Sequence, residues 1–80
     1  MTNHSTAERV AAEVRAQMAR QRKTQGDLAE ALGISEHTAG RRMRALVPFD
    51  VVELERIALW LDVPVATLWG PGDTPTAVAG

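Results

Sequence analysis

Between Thr24 and Ser35 the chain writes a start, a stop and a second start for helices in one short stretch. That arrangement limits the fold more than any other feature. Thr24 can accept a hydrogen bond from an orphan N–H at the head of a helix, and Asp27 three residues on suits a capping-box variant and the positive end of the helix dipole. Leu28, Ala29 and Leu32 follow at i, i+1 and i+4, which places them on one face. Gly33 can enter the left-handed conformation with no Cβ penalty, so it stops the helix and reverses the chain; Ile34 then tucks under the turn while Ser35 caps the next helix. Ala29 is small where two helices crossing at ~90–120° must approach closely. The spacing predicts a helix-turn-helix with its first helix over Gln25 to Leu32.

The second helix of that pair is expected from Glu36 to about Leu46. Residues placed ~100° apart around its axis separate into two faces. Ala39, Met43 and Leu46 follow i, i+4, i+7 and should face the core, whereas His37, Arg41 and Arg44 repeat the rhythm on the other side. An arginine fork matches guanine O6/N7 or a phosphate, and a helix fits the major groove of B-DNA. Gly40 falls between His37 and Arg41, where it costs ~1 kcal/mol relative to alanine, so a close approach to a backbone or base edge is expected there.

The flanking sequence supplies the remaining elements. Ala7, Val10, Ala11, Val14 and Met18 recur at helical steps and predict a first helix from Thr6 to about Lys23, ending in the basic run Arg20, Arg22, Lys23. Pro48 breaks the chain after Leu46, and Asp50 with Glu53 makes a capping pattern for a fourth helix, onto whose Leu54 Phe49 can staple. Val51, Leu54, Ile57, Ala58 and Leu61 should form its buried face, leaving Glu53, Glu55, Arg56 and Asp62 to water. Trp60 lies beside that face, suited either to packing on the last turn or to an interface. Pro64 to Trp69 reads as a fifth helical turn, with Val65 and Leu68 closing the core. Residues 1–5, including His4, are expected to be a flexible start, 6–69 the domain and 70–80 a mobile tail.

At 80 residues the chain is one small domain, burying roughly 60% of the surface its unfolded form exposes. It holds no cysteine, so disulfides and thiolate metal sites are excluded. Without a long apolar run or a signal-peptide pattern, it is expected to be soluble and cytoplasmic, with no membrane partner. A net charge of −1 argues against a polyanion partner until its distribution is considered. Residues 15–44 carry seven cations against three carboxylates, +4, and residues 45–80 one against five, −4. A basic half can therefore face DNA while an acidic half faces water or a partner. No phosphate loop, metal-spaced cluster or nucleophile elbow occurs, and so small a bundle has little room for a substrate pocket. Neither an enzyme, a cofactor nor a small-molecule ligand is expected.

The run TQGDLAEALGIS, then Thr38, Arg41 and Arg42, and further on VPFDVVELERIALWLDVPV, resembles the Cro/C1-type (XRE family) helix-turn-helix proteins of actinobacteria and their phages. The likeness spans about Val10 to Leu68. It implies an all-α, lambda-repressor-like bundle of about five short helices with the third in the major groove. Carried over by position, it implies groove contacts from Glu36, His37, Thr38 and Arg41, with Gln25 near phosphate or base. Ser35, Gly40, Arg42, Arg44 and Lys23 complete the expected DNA-binding set. Arg42 stands where an aliphatic residue is usual, and its stem is expected to cover the core while its head reaches a phosphate. Ala45 stands near a usual glycine. The implied role is a transcriptional regulator that binds operator DNA and acts by occupancy, as a Cro-like protein or repressor, with a homodimer on two half-sites left open. A protein-interaction module or antitoxin using the acidic fourth helix and Trp60 is the alternative, and an excisionase-like accessory protein a third.

Overall fold

The computed structural model describes residues 5–69. Within them lie α1 (Thr6–Arg20), α2 (Gln25–Leu32), α3 (Glu36–Met43), α4 (Val51–Leu61) and a closing 3₁₀ turn (Val65–Trp69). The all-α expectation holds, with four α-helices and a 3₁₀ turn in place of five helices. His4 and the expected tail from Gly70 lie outside the described residues.

Every α-helix starts and stops by the same chemistry. Ser5, Thr24, Ser35 and Asp50 each sit in extended backbone and accept from the N–H three residues on. At Ser5, Thr24 and Asp50 the partner carboxylate of Glu8, Asp27 or Glu53 returns the bond and completes a capping box. Ser5 is thus the cap of α1 rather than part of a flexible start.

At the other end, Arg22, Gly33, Ala45 and Asp62 take left-handed φ of 58°, 69°, 61° and 59°. The next N–H then reaches back to satisfy a carbonyl of the last turn: Lys23 to Met18, Ile34 to Ala29, Leu46 to Arg41 and Val63 to Ala58, at 2.9–3.0 Å. Two expected boundaries move as a result. α1 stops at Arg20 instead of Lys23, and α3 at Met43 instead of Leu46, because Arg22 and Ala45 turn left-handed there.

The core lies between α1 and α4, closed by α2 and the 3₁₀ turn. Val10, Val14, Met18, Leu28, Leu32, Leu54, Ile57, Leu61 and Leu68 are all buried, each large enough to contribute roughly 1.5–3 kcal/mol of apolar transfer. Ala29 and Ala39 meet where α2 crosses α3 and are buried too, as small residues at that crossing should be. Three apolar residues expected inside are exposed instead: Leu46, Val51 and Val65. Leu46 follows the turn that ends α3, and Val51 is the first residue of α4, outside the interlocked turns.

Candidate nucleic-acid interface

α3 is held as a rod on the outside of the bundle by contacts that all come from its inner side or its ends. Only Ala39 and Gly40 of its residues are buried. At its start, the Ser35 hydroxyl accepts from the Thr38 N–H at 3.1 Å and donates to the Thr38 hydroxyl at 3.0 Å. The Gln25 amide, on α2, donates to the Glu36 carbonyl at 2.9 Å. At its far end, an Arg15 guanidinium N–H from α1 donates to the Met43 carbonyl, placing a cation on the negative end of the helix dipole.

Two glycines let α2 and α3 exchange side chains. A Cβ on Gly40 would stand 2.9 Å from Gln25 Nε2 and 3.2 Å from Arg44 Nη1, so Gln25 lies directly over the bare backbone of α3. A Cβ on Gly26 would stand 3.1 Å from Glu36 Oε2, so Glu36 lies back over α2 in the same way. Gly40 is therefore buried beneath Gln25, so within the fold the close approach expected at this glycine is made by the protein's own side chain. Gly26 was not anticipated, although a glycine in the first turn of a capped helix is a signal for such a contact.

Two further residues nominated for DNA are engaged internally. The Arg42 guanidinium donates to Glu53 Oε2 at 2.8 Å, with the two side chains 19% and 12% exposed. Its head joins α3 to the capping box of α4. Glu53, expected in water, is the half-buried end of that link. Removing either partner leaves a desolvated charge, so Arg42→Ala acts on stability by about 1–3 kcal/mol. Lys23 places Nζ 4.8 Å from the centroid of the Trp60 ring, a cation–π contact that spends the lysine on α4. Trp60 is half-buried against the core, with Lys23 at the α1–α2 junction over its ring.

The face left open carries Glu36, His37, Arg41 and Arg44, all exposed along α3, with Ser35 and part of Gln25 and Thr38 at its amino end. Beside it, at the start of α2, the Thr24 backbone N–H and hydroxyl hold the Asp27 carboxyl below its ordinary value of 3.8. A depressed carboxyl stabilises the fold above its unfolded pKa, so this capping contribution is present above about pH 4 and disappears as pH falls through the lowered value. Among the described residues no group of histidine and carboxylate side chains could hold a metal, and no helix is long and apolar enough to cross a membrane.

The family described as the BetR domain matches residues 2–78, nearly the whole chain. The chain belongs to the BetR domain family. That membership fits a small helical domain of helix-turn-helix kind and stops short of the Cro/C1 (XRE) assignment. No curated protein and no solved structure matches the chain. Within this BetR domain the helix-turn-helix is α2, the Gly33 turn and α3, and its outward face is the one just described.

Proposed function

We propose that this chain is a sequence-specific double-stranded DNA-binding regulator, Cro-like or repressor-like, that lays α3 in the major groove and acts by occupying an operator. BetR membership points to a small DNA-binding regulatory domain, and one structural observation carries the finer reading. His37, Arg41 and Arg44 form an exposed line of donors on a helix whose internal ties, apart from Gln25 seated over Gly40 beside Arg44, lie away from that line. A rod presented this way has the width and the donor chemistry to read base edges, while the fixed α2 beside it sets its angle to the backbone.

The roles divide by position. Arg41, midway along the exposed line, reads a base; Arg44, one turn further, rests on a phosphate; and Gln25, Ser35, Glu36, His37 and Thr38 act at the amino end of α3. No catalytic step belongs to this reading. Sites selected from random duplexes supply the test. Arg41→Ala is expected to cost ~1–3 kcal/mol on the selected site and relax preference at one base pair, while leaving random DNA little affected. Equal losses on both DNAs would refute base reading by Arg41.

A further inference from the structure

The outer side of α4 and the adjoining turn carry four of the five large apolar residues exposed among the described residues, the fifth being Leu46. Leu59 is 82% exposed, Val51 71%, Val52 56% and, on the adjoining 3₁₀ turn, Val65 42%. Leu54, Ile57, Ala58 and Leu61 already anchor the opposite side, so this exposure owes nothing to fraying. Val52 and Leu59, seven residues apart, define the midline of the outer face. Glu55 and Arg56 flank that line at about 50° to either side and lie level with its midpoint. Both are exposed, and Arg56 is the only cation between residues 45 and 80. Neither forms an ion pair among the described residues.

We propose that this face binds a second copy of the chain, with the two α4 helices side by side and running in the same direction. The occupant follows from charge. When two identical helices pair in parallel about a two-fold axis, each flank meets the opposite flank of its copy, so Glu55 faces Arg56 twice. When they pair antiparallel, like flanks meet, and Glu55 faces Glu55 while Arg56 faces Arg56. Only the parallel arrangement closes the patch with both ion pairs made, and it stacks Val52 on Val52 and Leu59 on Leu59. Such a contact is isologous and stops at two copies.

The apolar patch is smaller than the ~800 Å² per partner of a standard interface, so the pair is weak and is to be sought from micromolar to millimolar concentration. This inference does not rest on the DNA reading, and its test uses no DNA.

Sedimentation of the intact chain from about 10 μM to about 1 mM is expected to show a monomer–dimer equilibrium. Leu59→Glu, at a fully solvated position, is expected to abolish it without changing the thermal midpoint. E55R and R56E each place like charges across the axis twice and are expected to weaken association about tenfold, whereas the double swap E55R/R56E restores it. In an antiparallel pair neither single swap would matter, because each exchanges one like pair for another. The chain has no cysteine, so V52C introduces the only one; parallel pairing predicts that it cross-links to its own counterpart on oxidation. A monomer throughout the range would mean that this face is free or serves a different protein, and would overturn the proposal. So would a dimer that survives Leu59→Glu, or a double swap that fails to recover association.

Discussion

Gly40 shows how one missing side chain admits two neighbours when only the sequence is available. Lying among His37, Arg41 and Arg44, it reads as a gap left for a nucleic-acid backbone; in the fold it is a gap filled by Gln25. Because the obstructing atom is the far end of a flexible side chain, Gly40→Ala need not strain the backbone. Alanine gains about 1 kcal/mol of helix propensity, and the displaced Gln25 loses one exposed hydrogen bond of comparable worth. Chemical denaturation should therefore show a stability change within about 0.5 kcal/mol, while the Gln25 side-chain amide resonance moves away from its hydrogen-bonded position. A loss beyond about 2 kcal/mol would mean that Gly40 meets something rigid. Arg42 and Lys23 carry a related ambiguity: an arginine or lysine near a recognition helix has the same letter whether its partner is a phosphate, Glu53 or Trp60. Composition shows the charge, and only the packing shows where it is spent.

Three of the four helix caps were legible because their chemistry is local, and Ser5 was the exception. Thr24 with Asp27 and Asp50 with Glu53 place their caps within four residues, and α2 runs from Gln25 to Leu32 as those signals and Gly33 require. Helix ends were legible only where glycine marks them. Arg22, Ala45 and Asp62 adopt the same left-handed cap as Gly33, and nothing in an ordinary helix-forming residue announces this. Continuing α3 to Leu46 also carried Leu46 into the core on paper, so one boundary error produced a burial error. A left-handed φ costs an L-residue roughly 1–2 kcal/mol that glycine does not incur. Ala45→Gly is accordingly expected to stabilise the domain by up to about 1 kcal/mol, after the added unfolded-state entropy of glycine is subtracted. Thermal unfolding of the two chains side by side checks this, and a lower midpoint for Ala45→Gly would contradict the role of the turn. The donor stripe on α3, by contrast, was readable from periodicity alone, since His37, Arg41 and Arg44 needed only the helix to exist.

Over the whole molecule, four of the seven cations of residues 15–44 already have a partner within the fold. Arg15 is tied to the Met43 carbonyl, Arg20 lies 3.9 Å from Glu13, Lys23 covers Trp60 and Arg42 holds Glu53. Arg22, Arg41 and Arg44 keep their charge uncommitted to any ion pair or hydrogen bond among the described residues. Each phosphate neutralised on B-DNA contributes about −0.9 to the slope of log affinity against log salt, so with Arg41 on a base, phosphate contacts by Arg22 and Arg44 give a slope of roughly −2 per chain. A slope near −6 in a binding titration would require that the internally paired cations had been released, and would contradict the fold as an account of the interface.

The exchange of side chains across Gly26 and Gly40 has a practical corollary for anyone wishing to re-aim this scaffold. Transplanting a foreign reading helix onto residues 36–43 would remove the seat for Gln25 and the carboxylate that rests on Gly26 in a single cut. The smallest portable cassette is the whole span from Thr24 through Leu46, caps and turns included, because the two rods are keyed to one another and neither fits a stranger.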